Sequence, residues 1–211
     1  MTRAFADAAR RAVAAGFDII KLHAAHGYLF HQLLSPLSNN RSAAYGGTLE
    51  DRARDLLETI DAVRAAVGDT VPLVVRFSPT DWVVGGWSLA ETQTVARWAA
   101  DHGIDLIDLS SRGTVPAPSI PAGPGYQVPF ATAVRAAAGV PVVTVGLIDE
   151  PHQAEQIIGT GLADVVMAGR AFLRDPNFAL HAAAALDVGL DYAPTPYHRA
   201  TWLSTCWSWN F

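Results

Sequence analysis

The chain has 211 residues, of which 50% are apolar and 17% are charged, so it can bury one substantial core and is neither disordered nor fibrous. Its 15 basic and 20 acidic residues give a net charge of −5, and the basic residues are scattered, which argues against nucleic acid as a partner. Cys206 is the only cysteine, which excludes an intrachain disulfide and a cysteine-ligated zinc or iron–sulfur cluster. Because no apolar run has the length of a signal peptide or a membrane span, we expect a cytoplasmic protein without a membrane partner.

A helical stretch that ends at glycine, followed by an aspartate and an apolar run, occurs three times along the chain. The three stretches are residues 15–20, 102–107 and 160–166. Each glycine suits the left-handed residue that ends a helix, and each apolar run suits a strand that is buried on both faces. Two further strands are predicted directly after Pro72 and Pro141.

The starts of two helices are also marked. Ser88 with Glu91 forms a capping box for a helix that runs to His102, and Thr48 with Asp51 predicts a helix that runs to Val67. Five parallel strands are therefore expected near residues 18–23, 73–77, 104–109, 142–145 and 164–168. This alternation is typical of a doubly wound sheet or of a (β/α)₈ barrel. We expect one domain over residues 1–190 and a tail of uncertain structure over residues 191–211.

Polar residues and glycines follow the predicted strands, at the edge of a parallel sheet where binding groups usually lie. In chain order they are His23, His26, Tyr28, Arg76, Ser78, Ser110, Ser111, Arg112, Gly146, Gly169 and Arg170. The two glycines can leave backbone N–H groups free for an anion, and Arg170 can add a charge-assisted contact. Since the loops after the last two strands of a (β/α)₈ barrel often bind phosphate, a phosphate site is predicted here. Alternatively, the glycines only permit tight turns.

The pair of His23 and His26 is open to three interpretations. Two histidines three residues apart could ligate zinc, but no third protein ligand is placed to complete a catalytic site, and we predict no metal. Either histidine could instead be a core residue with its hydrogen bonds satisfied. In the third interpretation, both rings donate N–H groups to a substrate oxygen that gains negative charge during a reaction.

Longer motifs give the chain a specific resemblance. Residues 23–29 read His-Ala-Ala-His-Gly-Tyr-Leu, residues 34–41 read Leu-Ser-Pro-Leu-Ser-Asn-Asn-Arg and residues 45–52 read Tyr-Gly-Gly-Thr-Leu-Glu-Asp-Arg. Together with residues 75–78, 124–127, 145–146 and 169–176, they make the chain resemble the old yellow enzyme family, particularly its bacterial class with thermophilic-type members. The resemblance spans about residues 3–199. It implies an α/β fold that is a partial (β/α)₈ barrel, with about five βα units, strands 4–8, and the first three units absent.

The resemblance also implies an activity and a set of site residues. The family uses FMN to reduce activated C=C bonds, in α,β-unsaturated carbonyls and nitroalkenes, with hydride from NAD(P)H through flavin N5. His23 and His26 would bind the oxygen of the activated alkene, and Tyr28 would position the substrate or supply a proton. The flavin would be held by Arg76, Ser110, Gly146, Gly169 and Arg170. Arg199 would reach the active site of a neighbouring subunit in a homo-oligomer, or else be a solvated residue of the tail.

Departures from the family pattern leave other interpretations open. Ala43 stands where the family usually has an acidic residue, and residues 200–211 match none of its motifs. The family's first three units normally supply the residue beneath flavin N5 and a glutamine for the pyrimidine ring. The chain could therefore be an inactive remnant or binding subunit of this fold. It could also be an unrelated phosphate-binding barrel, an isomerase or synthase, in which Arg170 binds a substrate phosphate.

Overall fold

Helices and strands alternate along residues 1–189, which are the residues that the computed structural model describes. The elements are α1 (Thr2–Ala14), β1 (Ile20–Ala24), α2 (Leu29–Leu34), α3 (Leu49–Val67), β2 (Leu73–Phe77), α4 (Leu89–Asp101), β3 (Leu106–Leu109), α5 (Val128–Ala138), β4 (Val142–Thr144), α6 (Pro151–Gly159), β5 (Val165–Val166), α7 (Arg170–Arg174) and α8 (Phe178–Ala185). The predicted tail, residues 191–211, lies outside the described residues, and so does Arg199.

The five strands form one parallel sheet in the order β1-β2-β3-β4-β5. Every strand pairs with its neighbour in sequence, without the reversal of strand order that defines a doubly wound sheet. This sequential order is that of a (β/α)₈ barrel. Within residues 1–189, β1 and β5 are each paired on one side only.

The strand predictions hold for all five elements, but the expectation that every strand is buried on both faces is wrong at the two edges. β5 is only two residues long, and Val165 in it is 42% exposed. In β1, Lys21 is exposed while its neighbours Ile20 and Leu22 are buried. A strand at the edge of the sheet lacks one neighbour, so its second face is not covered as the face of a central strand is.

Helix ends follow the local sequence signals. Gly16, Gly103 and Gly161 have φ values of 92°, 96° and 71°, the left-handed conformation expected where a helix ends. Ser88 and Glu91 form a complete capping box at the start of α4. Thr48 accepts a hydrogen bond from the backbone N–H of Asp51 at the start of α3. None of the described helices combines the length and apolar character needed to cross a membrane.

The sheet has two different faces. Leu73, Val75 and Phe77 of β2 are fully buried within the main apolar core, whereas the residues between them face the other side. We call that other side the inner face. By strand register it carries Lys21, His23, Val74, Arg76, Leu106, Asp108, Val143 and Val165. The inner face is thus unusually rich in charged and titratable groups for a parallel sheet.

Candidate active site

A cavity of about 480 Å³ opens where the loops after β3, β4 and β5 meet. Its lining includes seven of the polar residues and glycines that follow the predicted strands: His26, Ser110, Ser111, Arg112, Gly146, Gly169 and Arg170. Residues so far apart in sequence meet because the carboxyl ends of parallel strands lie along one edge of the sheet. The cavity lies within the size range of small-molecule and cofactor sites. Among residues 1–189, no three His, Cys, Asp or Glu side chains are grouped so that they could hold a metal ion.

The two histidines of the predicted pair lie side by side at the end of β1. Their rings meet edge to face with centroids 5.1 Å apart. His26 has a left-handed backbone, with a φ of 58°, and its ring Nε2 lies 3.0 Å from the Ser110 hydroxyl. The Nδ1 atom of His23 is buried and has no hydrogen-bond partner among the described residues. Tyr28 is 61% exposed, and its ring centroid lies 5.0 Å from that of His23.

Both histidines are held in the neutral form. Burial lowers the pKa of His23 from 6.5, and the positive charge of Arg76 lowers it further. Burial is also the main cause of the lowered pKa of His26, with smaller contributions from His23 and Arg76. Near pH 7 each ring therefore carries one N–H and one free lone pair, so each ring can donate a single hydrogen bond.

Arg76 lies on the inner face and is bound to a buried carboxylate. Its Nε and Nη2 atoms both lie 2.7 Å from Oδ2 of Asp108, which is fully buried. Lys21 Nζ contacts the same oxygen at 2.7 Å. The Arg76 guanidinium also contacts Met167 Sδ at 3.2 Å, and Met167 lines the cavity. Arg76 and His23 thus border the cavity and do not line it.

Asp108 was missing from the candidate residues. Its signal in the sequence is an acidic residue inside the apolar run Leu-Ile-Asp-Leu. A buried aspartate needs a cationic or hydrogen-bonding partner, but only the pairing of Asp108 with Arg76 across β2 and β3 shows which partner it has.

Gln127 was also missed as an individual residue. Its side-chain oxygen accepts hydrogen bonds from the backbone N–H and the hydroxyl of Ser111, which fixes the loop after β3.

Gly146 and Gly169, the two glycines of the predicted phosphate site, differ in the space that surrounds the backbone. At Gly146, which has a φ of 127°, a Cβ atom would lie 2.9 Å from the ring of Tyr126, so both the backbone conformation and the packing favour glycine there. At Gly169 a Cβ atom would meet nothing within 4 Å. No described group accepts a hydrogen bond from either backbone N–H. Arg170 is exposed and forms no ion pair within the part of the chain that the structure describes.

Residues 1–188 match the model of the NADH:flavin oxidoreductase / NADH oxidase family. The chain belongs to this family. It is 47% identical over 197 residues to the NADPH dehydrogenase of Geobacillus thermodenitrificans, covering 93% of this chain and 57% of the relative. It is also 47% identical over 195 residues to the NADPH dehydrogenase of Bacillus subtilis, covering 92% of this chain and 56% of the relative. The chain thus spans a little over half the length of these relatives.

Solved structures of other oxidoreductases show the same fold. A 2-naphthoyl-CoA reductase in complex with 2-naphthoyl-CoA matches with a TM-score of 0.80 and 29% identity, over 89% of this chain and 29% of that one. A morphinone reductase in complex with tetrahydroNAD matches with a TM-score of 0.68 and 28% identity, over 86% and 48% of the two chains. The predicted family and the partial (β/α)₈ barrel are confirmed, and an unrelated isomerase or synthase is excluded. The roles of individual site residues stay predictions.

Proposed function

We propose that the chain provides the FMN site and the substrate-activating histidines of an NAD(P)H-dependent oxidoreductase that reduces activated C=C bonds. The observation that carries the proposal is the cavity, because it gathers His26, Ser110, Gly146, Gly169 and Arg170 from loops that are distant in sequence. Membership of a flavin oxidoreductase family supports the choice of a flavin. The NADPH dehydrogenase relatives support a nicotinamide reductant.

The residues present fit a flavin that ends in a single phosphate. Gly169 offers an N–H without a partner and open space above its backbone, and the neighbouring Arg170 has no carboxylate partner within residues 1–189. These features suit a terminal phosphate. No strand is followed by a Gly-x-Gly-x-x-Gly loop, the motif that binds the pyrophosphate of dinucleotides in Rossmann folds. We therefore infer that the flavin is FMN and not FAD.

The inner face fits the flavin ring. Lys21, Arg76 and Asp108 together carry one excess positive charge, and the carboxylate fixes the orientation of the Arg76 guanidinium. A fixed cation of this kind stabilises negative charge on a bound ring. When bound and reduced, FMN supplies the hydride that the substrate receives. Arg76 is the residue that we assign to the ring, while Ser110, Gly146, Gly169 and Arg170 are assigned to the ribityl phosphate and the flavin edge.

His23 and His26 are assigned to the substrate. A carbonyl or nitro oxygen beside the two rings can accept one N–H from each, which polarises the conjugated alkene. Because their pKa values are lowered, both rings are neutral near pH 7, and each has one N–H group that it can donate to the oxygen. Tyr28 lies next to His23 with an exposed ring, which suits a residue that positions the substrate or supplies a proton. The homo-oligomer and the role of Arg199 stay predictions from the resemblance.

The phosphate assignment is tested by titrating the protein with FMN. Replacing Arg170 with Gln should weaken FMN binding by roughly tenfold to a hundredfold, because a hydrogen bond to a charged group contributes about 1.5–3 kcal/mol. Arg97→Gln is the control, since Arg97 is an exposed residue of α4 away from the cavity. Mass analysis of the released cofactor should find FMN. FAD in stoichiometric amount, or equal affinities of the two variants, would contradict the assignment.

A second candidate is a binding subunit of the same fold without reductase activity. The observation in its favour is that β1 and β5 lack a second neighbour within residues 1–189, which leaves the inner face open beside the cavity. The two candidates differ in whether the protein retains flavin. A protein that retains FMN and reduces alkenes supports the enzyme. A protein that binds no FMN, even when the three missing βα units are supplied, supports the binding subunit.

A further inference from the structure

A buried histidine contacts a buried carboxylate next to the turn that carries His26. His31 of α2 is 1% exposed, and Asp81 in the loop after β2 is 4% exposed. The ring Nε2 of His31 lies 3.0 Å from Oδ1 of Asp81. The ring N–H is poorly aligned with Oδ1, so the pair is a close polar contact and not a linear hydrogen bond. Neither residue lines the cavity, and the proposed chemistry uses neither of them.

The other oxygen of Asp81 is fixed by two donors. Oδ2 accepts the Ser35 hydroxyl at 2.6 Å and the backbone N–H of Trp87 at 2.8 Å. Burial by itself raises the pKa of Asp81, but the contacts with His31, Ser35 and Trp87 outweigh it and lower the pKa to about 2. Asp81 is therefore a carboxylate at neutral pH, and the two donors determine which of its oxygens faces His31.

The other nitrogen of His31 holds the turn that carries His26. The backbone N–H of Gly27 donates to Nδ1 of His31 at 2.9 Å. A backbone N–H can only donate, so Nδ1 must have a free lone pair, and the ring proton must be on Nε2, facing Asp81. The Thr114 hydroxyl lies 3.0 Å from Nδ1 and 3.1 Å from Nε2, which brings the loop after β3 into the same group of contacts.

The turn itself has little freedom to relax. His26 and Gly27 both have left-handed φ values, 58° and 76°. A Cβ atom on Gly27 would lie 2.5 Å from the backbone oxygen of Gly113, so the turn is confined between α2 and the loop after β3. Since Gly27 directly follows His26, the hydrogen bond to His31 restrains the backbone from which the His26 ring enters the cavity.

We propose that His31 and Asp81 are positioning residues of the candidate active site. The negative charge of the Asp81 carboxylate, 3.0 Å from Nε2, favours the Nε2–H tautomer of His31, and the free Nδ1 of that tautomer anchors the His26–Gly27 turn. The assignment of this turn to substrate binding rests on the proposed function. The tautomer and the anchoring of Gly27 do not depend on it, and both can be measured without flavin.

Asp81→Asn tests the pair because the geometry dictates where the new amide nitrogen goes. Ser35 and Trp87 both donate to the Oδ2 position, so the side-chain oxygen of Asn must occupy it, and the NH₂ group must face His31 Nε2. Because the NH₂ group can only donate, Nε2 must then accept, and the ring proton moves to Nδ1. There it faces the N–H of Gly27, so the hydrogen bond from Gly27 is lost. Asp61→Asn is the matched control, because Asp61 pairs with His102 at 2.7 Å on the exposed surface.

The measurement is side-chain ¹⁵N NMR of the histidines, together with hydrogen exchange of the Gly27 amide, on the full chain. In the unsubstituted protein at neutral pH we expect Nδ1 of His31 to carry no proton, because it accepts the Gly27 N–H, and the ring proton to be on Nε2. In Asp81→Asn we expect the Nδ1–H tautomer, a shift of the His26 ring signals and about tenfold faster exchange of Gly27, the effect of losing one hydrogen bond of typical strength. Asp61→Asn should change none of these.

A proton on Nδ1 of His31 in the unsubstituted protein at neutral pH would overturn the proposal, because Nδ1 could then not accept the Gly27 N–H. That measurement needs no variant, so it decides the question even if Asp81→Asn does not fold. An unchanged His26 signal in a folded Asp81→Asn variant would also overturn it, since a positioning pair must act on the turn. If the expected tautomers are found but His23→Ala leaves alkene reduction unchanged, the proposed function fails while the His31–Asp81 pair stands.

Discussion

The neutral histidines of the site give the protein a dependence on pH. The pKa values of His23 and His26 are lowered from 6.5, mainly by burial, so the unfolded chain binds more protons than the folded chain just below that pH. Stability therefore increases with pH in this window. The contribution of the two residues is fully present above pH 6.5 and is lost as the pH falls below it.

We expect the Tm to decrease between about pH 7 and about pH 5.5 more steeply in the unsubstituted protein than in a His23→Gln/His26→Gln double variant. The measurement is thermal unfolding followed by circular dichroism at several pH values. His152→Gln, at an exposed residue of α6, is the control and should keep the original slope. Parallel slopes for the double variant and the unsubstituted protein would show that the two rings are not the groups responsible.

His23→Ala separates substrate binding from flavin reduction. In an assembly that retains flavin, the variant should slow alkene reduction by roughly a hundredfold, because one donor to a developing negative charge contributes about 3 kcal/mol. Reduction of the flavin by NAD(P)H should change much less, since His23 is assigned only to the alkene oxygen. Stopped-flow measurement of the two half-reactions checks this. An equal loss in both would argue against the assignment.

At the scale of elements, α4 depends on its capping box. Ser88 and Glu91 satisfy each other's backbone N–H groups, and α4 covers the sheet with the buried residues Val95, Ala96 and Ala99. Ser88→Ala should lower the free energy of unfolding by about 1 kcal/mol. Urea denaturation measures the change, and Ser119→Ala in an exposed loop is the control. An effect no larger than that of Ser119→Ala would show that the cap contributes nothing measurable.

Exposed apolar side chains lie along both edges of the sheet. Beside β1, an apolar groove runs along α1. Phe17 and Ile19, which line this groove, are 65% and 57% exposed. At the other edge, Val165 of β5 is 42% exposed, and Leu173 of α7 is 85% exposed. A parallel edge that is unpaired within residues 1–189 and flanked by exposed apolar side chains favours association with another strand.

For the whole molecule, we predict that the 211-residue chain by itself is not an active monomer. Burying one Val, Leu or Ile contributes about 1.5–3 kcal/mol, so leaving a handful exposed offsets much of a typical stability of roughly 5–15 kcal/mol. Size-exclusion chromatography with flavin absorbance should show association and weak flavin retention. Co-expression with a three-unit N-terminal piece of a related dehydrogenase should restore both a defined size and bound flavin. A monodisperse monomer with tightly bound FMN and alkene reductase activity would contradict the prediction.

Much of this architecture is determined by local sequence. The glycines at positions 16, 103 and 161, the capping box at Ser88 and the apolar runs identify the helix ends and all five strands, because each depends on the conformational preferences of a few adjacent residues. The position of polar residues directly after strands was sufficient to predict that His26, Ser110, Gly146, Gly169 and Arg170 lie together, since parallel strands present their carboxyl ends at one edge. Their roles stay predictions.

Tertiary structure decided which groups contact one another. From the sequence alone, nothing explains the acidic residue Asp108 in an apolar strand. In the structure, the register of β2 and β3 places it against Arg76, and Lys21 of β1 contacts the same carboxylate. His31 and Asp81 lie 50 positions apart in the sequence, and only the packing of α2 against the loop after β2 brings them to 3.0 Å. A hydrogen bond or an ion pair depends on distances of a few tenths of an ångström between distant parts of the chain. Local sequence preferences carry no information on those distances, so the partners of buried charges could be assigned only from the folded structure.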